Sequence, residues 1–182
     1  MADLTQIVAG DRWSYWRIAM WGGAAVLLAL PAIAMQMGAS GVDWSTSDFL
    51  IMGVMLGVAC GACELAARVS GNGSYRIAAA IAVGTAFLTL WVNLAVGMIA
   101  SEDNPYNQLF GGVLLLALGG SVAARFRPRG MAWAMIAAAV AQAVLGAVGL
   151  PVDQRGAIFS MMFALPWLIS AMLFRRVLPT QP

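Results

Sequence analysis

Six stretches of about 20 mainly apolar residues, each bounded by arginine, an acid or a Gly/Asn/Pro turn, constrain this chain more than any other feature of its sequence. A helix rises about 1.5 Å per residue, so about 20 residues cross the hydrocarbon core of a bilayer. Backbone amides in that core have no water to bond to, and a segment this long satisfies them internally only as a helix. The punctuation predicts helices over 16–37, 48–68, 76–100, 107–124, 131–150 and 155–174. The fourth is the least regular, and a short or re-entrant helix is its alternative. The expected fold class is all-α: a polytopic transmembrane bundle of six helices forming one domain over 16–174. An interfacial segment over 1–15 precedes it and a tail over 175–182 follows. The connections are too short for a soluble domain, and the three helical hairpins share length but not residues.

Composition agrees and removes several function classes. Of 182 residues, 62% are apolar and 10% charged, with a mean hydropathy of +0.83; soluble domains carry about half apolar and a quarter charged residues. Ten basic residues nearly balance eight acidic ones, too little excess charge for a surface that tracks nucleic-acid phosphates, so no nucleic-acid partner is expected. Histidine and lysine are absent. That removes imidazole-based haem or zinc sites, triads that need an imidazole base, and Schiff-base cofactors.

Arginine near a helix end is retained on the cytoplasmic side of a membrane, whereas acids contribute little to orientation. Arg12 and Arg17 precede the first helix, Arg68 and Arg76 flank the second connection, Arg125, Arg127 and Arg129 lie in or beside the fourth, and Arg175 and Arg176 follow the last helix. Arg155 alone lies opposite. The first, third and fifth connections carry Asp43, Asp48, Glu102, Asp103 and Asp153. Both termini are therefore expected to be cytoplasmic and the outer face acidic, an alternation that requires the fourth helix. Ala32-Ile33-Ala34 resembles the small-residue cleavage site of a secretory signal. The long preceding segment with Asp3 and Asp11 favours an uncleaved first helix.

Helix-end chemistry fits these spans. Ser45-Thr46-Ser47-Asp48 offers a capping box, Asp103-Asn104-Pro105 a cap followed by a first-turn proline, and Gly71-Asn72-Gly73 a tight turn. Trp13, Tyr15, Trp16, Trp21, Trp44 and Tyr106 suit an interfacial aromatic belt. Pro31 and Pro166 fall inside the first and sixth helices, where each can introduce a kink.

Candidate functional residues are small or polar groups inside the spans. Gly53, Gly57 and Gly61 repeat every fourth residue, forming a face that lets another helix approach, with Cys60, Glu64 and Arg68 on the same side. Glu64 reads as a proton or cation site, or as an inner-end carboxylate paired with Arg68; the pair is the simpler reading. Cys60-Gly61-Ala62-Cys63 spells the CxxC of redox and copper proteins but lies deep in a helix, which favours inert packing thiols. The twelve methionines form no regular metal-binding array, and Met commonly fills apolar gaps. No metal site is assigned.

Thr85, Thr89, Asn93, Gly97 and Ser101 share four-residue spacing, and Ala138, Gln142 and Gly146 repeat it in the fifth helix. Counting rise from the inner ends puts Glu64 about 6 Å deep, Gln142 about 17 Å and Asn93 about 25 Å. Asn93 and Gln142 can therefore share a depth that Glu64 does not. Such seams line a polar path or simply bond helices together. The outer acids Asp43, Asp48, Glu102, Asp103 and Asp153 form either a vestibule for a cation or basic partner, or ordinary solvated loops.

The stretch Trp91-Val92-Asn93 through Asp103-Asn104-Pro105, with the turn Arg125-Phe126-Arg127-Pro128-Arg129-Gly130, resembles segments of small inner-membrane proteins of bacteria. The resemblance covers the third and fourth helices and the following turn. It implies a bacterial inner membrane as the address and transfers no catalytic residue, substrate or cofactor. Three expectations follow: a non-catalytic accessory or assembly subunit in contact with membrane lipids, itself or a larger membrane complex; a small transporter or channel using Thr85, Thr89, Asn93, Gln142 and Glu64; and a thiol-redox or metal-handling protein using Cys60 and Cys63. No nucleophile is paired with a base, so no enzyme activity is expected.

Overall fold

A computed structural model describes residues 4–177, with side chains from Tyr15 onward, and these residues are helical without strands. Helix α1 spans Leu4–Gln36, α2 Thr46–Val69 and α3 Gly73–Ala95. A 3-10 turn, Pro105–Gln108, leads into α4, Leu109–Ala123, followed by α5, Pro128–Gly149, α6, Gln154–Met162, and α7, Ala164–Arg175. Together they supply six stretches long and apolar enough to cross a membrane: Tyr15–Gln36, Thr46–Val69, Gly73–Ala95, Pro105–Ala123, Pro128–Gly149 and Gln154–Arg175. The chain thus has the make-up of a multi-pass membrane protein. The fourth stretch reaches 19 residues because the 3-10 turn runs straight into α4. The side chains of Arg12 and Trp13, and residues 1–3 and 178–182, lie outside the described residues.

Both ends of α3 depart from the sequence expectation for identifiable reasons. Helix α3 begins at Gly73 rather than Arg76 because the Asn72 side chain accepts hydrogen bonds from the backbone N–H groups of Ser74 and Tyr75, a side-chain N-cap. It ends at Ala95 rather than Ala100 because the chain turns left-handed at Gly97 (φ +76°) and Ala100 (φ +63°). The sixth span is broken at Phe163. Proline lacks an N–H for the carbonyl four residues earlier and crowds it; Pro166 therefore leaves Met162 without its helical donor, and the Phe163 N–H bonds to Ser160 O (3.1 Å) in a tighter turn. Pro31, by contrast, sits inside an uninterrupted α1.

The chain divides into two compact units, Met1–Glu64 and Leu65–Pro182, the division falling inside α2. In the first, α1 ends in a Schellman-type turn, with Gly38 at φ +71° and the Ala39 N–H reaching back to Ala34 O. Helix α2 opens on the predicted capping box. Ser45 N–H donates to Asp48 Oδ2 at 2.7 Å and Asp48 N–H returns to Ser45 Oγ at 3.3 Å.

In the second unit α5 is the hub, packing against α4, α6 and α7, while α3 packs on α7. The core holds Tyr75, Met98, Ile99, Phe110, Met135, Trp167 and Phe174. Small residues set the helix spacing. A Cβ on Gly120 would lie 2.7 Å from Ala134 Cβ, and one on Gly146 would lie 2.6 Å from Met161 Cγ and 2.9 Å from Ala157 O. In lipid, where apolar surface gains nothing by leaving solvent, such close approach supplies the van der Waals contact that holds helices together.

Candidate functional site

The polar seam of α3 is largely self-contained. Thr85 Oγ1 donates to Ile81 O (2.7 Å) and Asn93 Nδ2 to Thr89 O (2.8 Å), both within the helix. Gly97 and Ser101, expected to extend the seam, instead lie beyond the end of α3. Gln142 is fully buried on α5, and its Nε2 donates to Ser160 O (3.3 Å) and Ser160 Oγ (3.2 Å), joining α5 to α6. Among the described residues it makes no hydrogen bond to the α3 seam. Thr89 Oγ1, Asn93 Oδ1, Gln142 Oε1 and Trp167 Nε1 are buried with no protein partner.

Glu64 belongs to the other unit and is engaged from α1. Arg17 Nε and Trp21 Nε1 both donate to Glu64 Oε1 at 2.9 Å. The guanidinium and the indole N–H thus converge on one carboxylate oxygen as charge-assisted donors. This constellation supports the paired reading with a partner from α1. Sequence reasoning could not find it, because α1–α2 pairing carries no local spacing signal. Cys60 is buried, Cys63 is half-buried, and both are free thiols in mid-helix, away from the helix start that stabilises a thiolate.

The end of the Leu65–Pro182 unit that carries Asn107 and Asp153 is held by side-chain hydrogen bonds. Asn107 Oδ1 accepts from the Met98 and Ile99 N–H groups (3.1 and 2.9 Å), and its Nδ2 donates to Ile99 O and Ser101 O (3.2 and 2.7 Å). The bracket drives Met98 and Ile99 into the core between the ends of α3 and α5. Asp153 caps α6, accepting from the Arg155 and Gly156 N–H groups, and its second oxygen accepts from Ala100 N–H (3.0 Å). These amide bonds, that from Gly156 foremost and that from Ala100 next, hold the Asp153 carboxyl below its ordinary value. Of the expected acidic cluster, then, Asp48 and Asp153 are helix caps, while Asp43, Glu102 and Asp103 are exposed. Among the described residues no three His, Cys, Asp or Glu side chains converge to hold a metal ion.

The small-residue face of α2 is used unevenly. A Cβ at Gly53 would touch Leu28 Cδ2 of α1 at 3.7 Å, whereas none at Gly57 or Gly61 would meet anything within 4 Å. Four residues of α-helix overshoot one turn by about 40°, so the stripe drifts away from α1 as it descends. Gly84, Gly111, Gly112 and Gly119 are also open but do not form a four-residue repeat.

Several organising residues escaped the sequence reading. Tyr106 is not a free belt residue: its hydroxyl donates to Leu145 O (2.8 Å), clamping the 3-10 turn to α5. The buried Tyr75 hydroxyl donates to Phe126 O (3.0 Å), and Ser170 Oγ donates to Ala78 O (2.8 Å), bonding α7 to α3. Asn107 had one weak signal, a polar residue just after a proline cap. No protein-family model, no curated protein and no solved structure matches the chain.

Proposed function

We propose that the chain is a non-catalytic subunit of a membrane assembly, presenting the Gly57/Gly61 face of α2 to a helix of a second copy or of a larger complex. The observation that carries this reading is the contrast among glycines. Gly120, Gly146 and Gly149 are filled by neighbouring atoms, while Gly57 and Gly61 have open Cβ positions on a face whose spacing suits close helix approach. The Arg17–Glu64–Trp21 constellation supports a structural role for the intramembrane carboxylate. We place the chain in a bacterial inner membrane with both termini cytoplasmic; arginine asymmetry and six crossings support that orientation.

Native mass spectrometry of the gently extracted protein tests the proposal. A defined species heavier than one chain is expected, and Gly57→Ile/Gly61→Ile should dissociate it while leaving the thermal transition of the single chain in place, because both Cβ positions are open. A lone monomer with no associated protein, or an assembly indifferent to the double substitution, overturns it.

A second reading, a small transporter, draws on the unpartnered Thr89 Oγ1, Asn93 Oδ1 and Gln142 Oε1, since buried polar atoms without partners are costly in a bilayer. Flux of protons, alkali cations and small solutes equal to that of protein-free liposomes would remove it.

A further inference from the structure

We propose that Arg129, Trp133 and Arg175 form a binding site for the phosphate headgroup of an anionic phospholipid at the arginine-rich end of the Leu65–Pro182 unit. The three side chains line a cavity of about 200 Å³. Arg129 and Trp133 stand one turn apart on the same face of α5, and Arg175 comes from the last turn of α7. Its guanidinium carbon lies 5.8 Å from the centre of the Trp133 ring, within the range of a cation–π contact. The indole thus holds one arm of the site in place while remaining 65% exposed.

Charge separates these arginines from their neighbours. Arg76 is committed to the end of α2, donating from Nε to Ser70 O (2.8 Å) and from Nη2 to Ala67 O (3.0 Å). Among the described residues neither Arg129 nor Arg175 enters an ion pair. The acids of this unit, Glu102, Asp103 and Asp153, belong to connections at the opposite ends of the helices, whereas Arg125, Arg127 and Arg176 add positive charge at this one. Helix α5 also starts without a side-chain cap, so the positive end of its dipole adds to the same field.

Size and surroundings identify the ligand class. The cavity is smaller than the roughly 300–1,000 Å³ pockets that enclose drug-sized molecules, and it suits one phosphate group gripped by planar guanidinium donors. A free phosphate ion offers the same chemistry. Here, however, the rim is an exposed tryptophan of the kind that sits at headgroup level, and exposed apolar residues continue from it: Val140 and Val144 along α5, Ile169 and Met172 along α7. These give acyl chains a surface to follow, as in basic headgroup sites between transmembrane helices.

The test titrates short-chain phosphatidylglycerol, short-chain phosphatidylcholine and inorganic phosphate separately into the detergent-solubilised full chain, reading occupancy by native mass spectrometry and Kd by the shift in Tm. Phosphatidylglycerol should bind saturably, and the other two should not at the same concentrations. Arg129→Gln/Arg175→Gln should raise Kd about tenfold or more, as expected for lost charge-assisted hydrogen bonds. Arg125→Gln/Arg127→Gln, which removes equal charge from the same end, should leave the affinity within about threefold. Equal weakening by both pairs would mean diffuse attraction and overturn the site, as would equal binding of inorganic phosphate or unchanged affinity in Arg129→Gln/Arg175→Gln. Should that variant fail to fold, Trp133→Leu, at an exposed position, decides alone: a several-fold weaker Kd supports the site, and an unchanged one overturns it.

Discussion

Gly97 shows how much rests on single residues around the Asn107 bracket. Its φ of +76° is open to glycine but strained for other residues, and a Cβ there would lie 2.5 Å from the backbone of Ser101 and 2.7 Å from Asn107 Nδ2. Gly97→Ala must therefore disturb the bracket that buries Met98 and Ile99. We predict a loss of about 2–3 kcal/mol in denaturant unfolding of the solubilised protein, combining left-handed strain with displaced packing. Asp153 supplies a pH signature at the same site. Its carboxyl is held below the ordinary value by amide hydrogen bonds from Gly156 and then Ala100. The stability it contributes is thus fully present above the ordinary carboxylate value of about 4 and is lost as pH falls through the lowered folded value. Tm measured across this acid range should fall less steeply in Asp153→Asn than in the parent chain; identical slopes would refute the assignment. The capping roles of Ser45, Asp48 and Asn104 were legible in the sequence because each acts within three residues of itself, whereas Asn72, read as part of a tight turn, proves to be the N-cap of α3. The partners of Glu64, Asn107 and Ser170 were not, because those contacts cross from one element to another.

At the scale of elements, hydrophobic spacing predicted every span, since a bilayer imposes its thickness on any helix that crosses it. What it missed were the interruptions. The early end of α3 depends on the left-handed turn at Gly97, a glycine whose four-residue spacing also fitted the polar seam, and the break at Phe163 distinguishes Pro166 from the equally conspicuous Pro31. If the absent N–H of Pro166 causes that break, Pro166→Ala should restore a donor to Met162 O and fuse α6 with α7. Hydrogen–deuterium exchange of the Met162 and Phe163 amides should then slow, and stability should rise by about 1–3 kcal/mol. Unchanged exchange would instead show that packing of the buried Trp167 and Phe174 sets the break. The candidate site is a matter of elements too. Of the α3 seam read from four-residue spacing, Thr85, Thr89 and Asn93 lie on the helix while Gly97 and Ser101 fall beyond its end; the Thr85 and Asn93 bonds stay within the helix, and Gln142 bonds across to Ser160 on α6 rather than to that seam. Periodicity reports which residues share a face; it carries nothing about what that face meets.

At the scale of the whole chain, the proposed orientation rests on how arginine and acid are distributed among the connections. Six crossings would place the first, third and fifth connections on one side and the others opposite, so a single reporter can test the full arrangement. Cys60 and Cys63 both lie inside the α2 span, and replacing both with Ser gives a thiol-free background. Single cysteines at Ser40, Glu102 and Val152 should then react with a membrane-impermeant maleimide in intact cells. Cysteines at Asn72 and Arg127 should react only after the membrane is opened. The proposed orientation expects the arginine-rich side to stay inside, because moving several guanidiniums across a bilayer costs far more than leaving exposed acids outside. Labelling of Asn72→Cys in intact cells with protection of Glu102→Cys would invert the topology, moving the arginine-lined cavity to the outer leaflet. A mixture of both patterns at each position would mean that arginine asymmetry does not orient this chain, and the Arg129–Trp133–Arg175 site would then face both leaflets in the population.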